Sequence, residues 1–178
     1  MRFKFNVNIN DEIYYRYNHF LAFRSYYGKI QEMRKRIAVG FGCFLGLALY
    51  TLFEGISAVA TASALIAFIV IQLLVTPLSK AHLNRILKNL KRQGKLRYDA
   101  TSEIEFLDNS FVETTEDFKT QQKYKLIDRV SILAGEAIYV HINNLMSVII
   151  PIDAFESNHE YAEFVDFIKS KCDNVDVY

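Results

Sequence analysis

Residues 37–78 read IAVGFGCFLGLALYTLF, then Glu54 and Gly55, then ISAVATASALIAFIVIQLLVTPL. The two apolar runs are Ile37–Phe53 and Ile56–Leu78, and Glu54 is the one charged residue between Arg36 and Lys80. A bilayer core of ~30 Å takes about 20 helical residues. The second run is long enough for this. The first reaches only ~26 Å at ~1.5 Å per residue, and Arg34, Lys35 and Arg36 can lengthen it by snorkelling to the interface. With only Glu54 and Gly55 between them, the runs predict a tight transmembrane helical hairpin, and Gly55 is free to take the backbone angles of a sharp reversal. A soluble chain of this size would have to bury about 40 apolar residues on every side, more than its surface-to-volume ratio supports. The apolar stretch starts too far along the chain for a cleaved signal peptide, and none is expected.

The flanks orient the hairpin. Arg24, Lys29, Arg34, Lys35 and Arg36 precede the first run, while Lys80, Arg85, Lys88, Lys91, Arg92, Lys95 and Arg97 follow the second. The turn carries no cation, so the positive-inside rule places both termini in the cytoplasm. The same cations, chiefly Arg34, Lys35, Arg36, Lys80, Arg85, Lys88, Lys91 and Arg92, are candidate contacts for anionic lipid. Within the hairpin, Gly42 and Gly46 form a GxxxG with Gly40 nearby, and Ala60, Ala64 and Ala67 put small residues on one face of the second span. Such faces let two helices approach closely in lipid, either within the hairpin or between two copies. Gln72 is the costly polar group and is expected to bond across the hairpin. No Asp, Glu, Lys, Arg or His lies in the spans, which argues against a transport pathway.

Outward from the hairpin the chain splits by charge. Residues 1–97 hold 15 Lys/Arg and 4 Asp/Glu, whereas residues 98–178 hold 6 and 16, so a formal net charge of +1 conceals a basic half and an acidic half. The acidic half is expected to dock on basic juxtamembrane segments of its own chain or of another. In residues 1–36, Phe3, Phe5, Val7 and Ile9 alternate with polar residues, the period of a half-buried strand. Asn10-Asp11-Glu12 then looks like a helix start, followed by an aromatic-rich amphipathic segment. Aromatics among cations also suit single-stranded nucleic acid, but tyrosines beside a membrane boundary belong at the headgroup level, and no nucleic-acid partner is expected. Pro77 marks a bend or helix restart, after which residues 79–95 form a basic juxtamembrane helix ending near Gly94.

Residues 98–178 predict an antiparallel sheet. Strands are expected around Ile104–Phe106 and at Phe111–Glu116, Lys119–Leu126, Arg129–Leu133, Ala137–Ile142 and Met146–Ile150. Turns are expected at Asp108-Asn109-Ser110, Glu116-Asp117-Phe118, Gly135-Glu136 and Asn143-Asn144. The Phe3–Ile9 strand can add a seventh. Ser157 and Glu160 have capping-box spacing, and Tyr161, Phe164, Val165 and Ile168 form one apolar face of a helix that caps the sheet.

Asn10–Tyr14 with Tyr17-Asn18-His19, Thr76-Pro77-Leu78 with the Lys/Leu run to Gly94-Lys95, Tyr124–Val130, and Ile138-Tyr139-Val140 with Ile149–Phe155 together resemble the YcxB-like family of small bacterial membrane proteins. Tyr124 stands where many members carry Trp. The resemblance implies an N-terminal cytoplasmic segment, two spans and a C-terminal domain similar to a pleckstrin-homology fold, in a bacterial plasma membrane. It implies no established activity.

The expected architecture is thus an α+β membrane protein. Residues 1–36 form a cytoplasmic strand and helix, 37–53 and 56–78 the two spans, 79–95 a basic helix, and 98–178 an acidic, helix-capped, pleckstrin-homology-like cytoplasmic domain. His19, His82, His141 and His159 are scattered and show no metal-ligand spacing. Cys43 and Cys172 are expected to be unpaired. No GxSxG, Walker loop or GxGxxG occurs, so no catalytic residue, metal or cofactor is expected. Only Lys119, Lys123, Lys125 and Arg129 cluster in the acidic half, which disfavours phosphoinositide recognition. The partners expected are the lipid bilayer and either a second copy or another membrane protein. The role expected is a non-catalytic, membrane-anchored interaction or regulatory module. The alternative is a small oligomeric pore or transport accessory, which conductance in proteoliposomes would reveal.

Overall fold

The computed structural model describes residues 3–55, 57–96, 98–143 and 146–178. In chain order the elements are β1 (Phe3–Asn8), α1 (Asp11–His19), a π-helical turn (Phe20–Arg24), α2 (Tyr26–Glu54), α3 (Ala58–Arg92), β2 (Thr101–Phe106), β3 (Ser110–Thr114), β4 (Lys119–Lys123), β5 (Arg129–Leu133), β6 (Ala137–His141), β7 (Ser147–Pro151), α4 (Asn158–Lys171) and β8 (Val175–Val177). They form two compact units, one of residues 1–14 with 97–178 and one of residues 15–96.

The first unit contains two four-stranded sheets, ordered β1-β2-β3-β4 and β7-β6-β5-β8. The N-terminal strand pairs antiparallel with β2, Phe5 opposite Ile104 and Phe3 opposite Phe106. Its alternation sets Phe3, Phe5 and Val7 in the core and Lys4, Asn6 and Asn8 at the surface, where Lys4 pairs with Glu103 at 2.8 Å. Asn10 opens α1 by accepting from the Ile13 amide at 2.9 Å, and Tyr98 ties the same corner by donating to Asp11 at 2.6 Å.

The helix α4 supplies the centre of this core. Ser157 caps it by accepting from the Glu160 amide at 3.1 Å, while the Glu160 carboxylate reaches one residue beyond the cap, to the Glu156 amide at 2.7 Å. Phe164 and Ile168 are fully buried, and Tyr161 and Val165 pack at the margin. Phe164 meets Phe106 at 4.8 Å, Phe5 at 4.9 Å and Phe3 at 5.2 Å between ring centroids, each edge to face, the arrangement that aromatic quadrupoles favour. Phe167 widens the apolar face by packing on Phe3 and Tyr124.

Three sequence expectations change here. The expected Lys119–Leu126 strand ends at Lys123, because Tyr124–Leu126 winds into a 3-10 turn. That turn drops Tyr124 into the core, with its hydroxyl donating to the Leu107 carbonyl at 2.6 Å. The acidic half also holds one strand more than its pattern shows, β8, which runs parallel to β5. Gly135, at φ +73°, makes the β5–β6 turn, whereas the predicted Asn143-Asn144 turn falls partly outside the described residues, at Asn144.

The third change is in the second unit. The helix α3 runs unbroken through Pro77 to Arg92, so residues 79–92 of the basic segment are its continuation and not a restarted helix. Proline is tolerated inside such helices when neighbouring groups satisfy the freed backbone. At 29 and 35 residues, α2 and α3 reach about 44 and 53 Å. Both are long and apolar enough to cross a membrane, and none of either apolar window is buried within the chain. Gly55 ends α2 at φ +82°, an angle that disfavours any side chain.

Candidate functional site

The hairpin's most organised chemistry lies near the end of its apolar runs that bears the cations. Glu32, only 8% exposed, accepts from Lys35 at 2.7 Å and from the Thr76 hydroxyl of α3 at 3.3 Å. Arg36 donates to the same Thr76 hydroxyl at 3.0 Å. One turn earlier in α3, Gln72 donates to the Arg36 carbonyl at 3.1 Å. Four polar side chains thus clamp α2 to α3 in a fixed register. Charge-assisted bonds of this type are about twice as strong as neutral ones. The sequence marks Gln72 but not Glu32, whose only signal is its isolation as an acid among Lys29, Arg34, Lys35 and Arg36.

Beyond the clamp, Gly40 makes the close approach. A side chain there would stand 3.4 Å from the Phe68 ring and 3.5 Å from the Gln72 amide. Gly40, Cys43, Leu47 and Tyr50 recur at helical i, i+3, i+7, i+10 spacing. The last three line a groove with Gly46, facing Ala60, Ala64 and Ala67 of α3. Gly42 lies outside that groove. Nothing stands within 4 Å of where a side chain at Gly42 or Gly46 would begin, so the GxxxG pair does not set the spacing of this hairpin. The reason is angular: at ~100° per residue, Gly42 sits about 200° around α2 from Gly40.

The cations Arg34, Lys35, Arg36, Lys80, Arg85, Lys88, Lys91 and Arg92 are all exposed. Lys80 lies over the Phe23 ring at 5.8 Å, and His19 bonds Asn84 at 2.6 Å. A second crevice, about 400 Å³, opens between the π-helical turn and α3, lined by Ala22, Phe23, Lys35, Ser79, His82 and Ile86 among others.

In the sheet unit, His141 is the one buried histidine among the described residues. Its ring nitrogens lie 3.1 Å from the Ser131 hydroxyl and 2.8 Å from that of Ser147. Hydroxyls donate or accept, so either neutral tautomer is satisfied. Burial first, then the Arg129 charge, lower its pKa from 6.5 to about 4, with Asp128 and Asp176 acting the other way. The unfolded chain therefore binds the extra proton between those values. The stabilisation is complete above pH 6.5 and is lost as pH falls towards 4, by up to ~3 kcal/mol at ~1.4 kcal/mol per unit. His141→Gln is expected to flatten that part of the profile. The check is the thermal midpoint of the full chain in detergent from pH 7 to 4; equal slopes for both proteins would refute the assignment. Burial also raises the Cys172 thiol to about 11, and Cys43 and Cys172 are both free. Among the described residues no group of His, Cys, Asp and Glu is placed to hold a metal ion.

No protein-family model, characterised protein or solved structure matches this chain.

Proposed function

We propose that this chain is a non-catalytic, membrane-anchored interaction or regulatory module of the YcxB-like type. The α2–α3 hairpin spans a bacterial plasma membrane, and both termini lie on the cytoplasmic side. The acidic sheet unit, with a pleckstrin-homology-like arrangement of sheets and C-terminal helix, is held at the inner face to engage a second copy or another membrane protein.

The observation that carries this reading is the uncovered apolar surface of the hairpin. Leu52, Phe53 and Val59 are 79%, 84% and 77% exposed at the turn, and residues from Ile37 to Leu74 are exposed along both helices. A water-soluble protein rarely leaves more than a few hundred Å² of contiguous apolar surface open. The cations cluster at one end, as the positive-inside rule requires of a cytoplasmic face.

Two measurements test it. The chain should remain in the membrane pellet after alkaline carbonate washing. Chemical cross-linking in native membranes followed by affinity capture should yield a dimer or one reproducible partner. A chain left in the supernatant ends the membrane reading, and monomer alone ends the interaction reading.

A further inference from the structure

We infer that the crevice between the π-helical turn and α3 is a binding site for one anionic phospholipid. Its polar wall is Lys35, Ser79 and His82, and its apolar wall includes Phe23 and Ile86. Lys35 lies two residues before the first apolar run and Ser79 follows directly on the second. The crevice therefore opens where both runs end, at the level of lipid phosphates.

Its charge selects the occupant. Lys35 gives one N–H to Glu32 and keeps two more to donate. Lys80 on the adjoining face of α3 and the exposed ring of His82 add donors. No Asp or Glu occurs from residue 13 to 31 or from 55 to 98, and the Glu32 carboxylate is turned into the interhelical clamp. A phosphodiester finds cationic partners here, while a headgroup ammonium finds no free carboxylate. The site thus favours phosphatidylglycerol-type lipids over phosphatidylcholine. At about 400 Å³, it holds a headgroup and the first methylenes, with the acyl chains lying along the hairpin.

This inference rests on the membrane reading above, which carbonate extraction tests separately. The direct test is native mass spectrometry of the delipidated full chain in detergent, titrated with phosphatidylglycerol or phosphatidylcholine of matched acyl chains. One phosphatidylglycerol adduct should dominate, with occupancy at least about fivefold above phosphatidylcholine. Ala22→Phe, which fills the crevice, and the double variant Lys35→Gln/His82→Gln should each reduce it by a similar factor. Lys119→Gln/Lys123→Gln, two exposed cations of β4 in the sheet unit, should leave it unchanged. Equal adducts for the two lipids would overturn the site, as would an equal loss in the distal variant, which would mean general attraction to a basic surface. Should Ala22→Phe fail to fold by circular dichroism, the Lys35/His82 variant alone decides. A chain that resists carbonate extraction yet shows no lipid preference refutes this site and leaves the membrane anchor standing.

Discussion

Replacing Phe164 with alanine is expected to destabilise the sheet unit by roughly 3–5 kcal/mol, the range for removing a buried aromatic side chain from a core that cannot collapse around the gap. Phe164 is 0% exposed and touches rings from three directions: Phe3 and Phe5 of β1, Phe106 of β2, and Phe155 before α4. These come from both ends of the chain, so relaxation of one leaves the others facing a void. The comparison variant is Val165→Ala, one residue on, where a half-buried side chain loses two methyl groups and about 1 kcal/mol. Hydrogen exchange of the full chain in detergent reads the difference locally. Amides of β1 and β2 should exchange about 100- to 4000-fold faster in Phe164→Ala, since each 1.4 kcal/mol is tenfold, and less than about tenfold faster in Val165→Ala. Similar protection in the two variants would mean that α4 covers the sheets loosely and is not part of their core.

The features that could be anticipated from sequence are those set by local period or by charge. Phe3-Phe5-Val7 shows a strand because every second residue is apolar, and Ser157 with Phe164 and Ile168 shows a capped amphipathic helix. The two apolar runs and their cationic flanks stand out for the same reason. What stayed hidden depends on a distant partner. β8 has three residues, and only its parallel register with Val130–Ile132 makes it a strand. Tyr124 sits in a sequence that could continue β4, and the Leu107 carbonyl it reaches lies 17 residues away. Pro77 normally stops a helix, yet α3 continues through it, directly after Thr76 is tied to Glu32 and Arg36 of α2. In the candidate site, Gln72 announced itself as a lone amide among apolar residues. Glu32 did not, because an acid in a cationic run reads as surface until Thr76 is seen across from it.

The second large effect is at Gly28, where alanine should destabilise the corner leading into α2 by roughly 3 kcal/mol, the upper part of the usual overpacking range. The π-helical turn at Phe20–Arg24 doubles the chain back against the start of α2. Ser25 sits at the junction: its hydroxyl donates to the Leu21 carbonyl at 2.7 Å and accepts from the Gly28 amide at 3.0 Å, while its own amide bonds the Phe20 carbonyl at 2.9 Å. A Cβ at Gly28 would stand 2.7 and 2.8 Å from the carbonyl carbon and oxygen of Ala22. Both are backbone atoms and cannot rotate away, so either the π turn opens or the Ser25 cap breaks. Gly42→Ala is the matched control. It puts the same methyl group into the same helix, where nothing stands within 4 Å, and should stabilise α2 by about 0.5–1 kcal/mol through reduced backbone entropy. Thermal unfolding followed by helical circular dichroism in detergent should therefore move in opposite directions for the two variants. Faster hydrogen exchange in Gly28→Ala should be confined to residues 19–30, with β1 and β2 unaffected. If both glycines tolerate alanine equally, the corner is not built on the Gly28 contact. The Ala22–Phe23 wall of the lipid crevice, which hangs from the same turn, would then lose its rigid support.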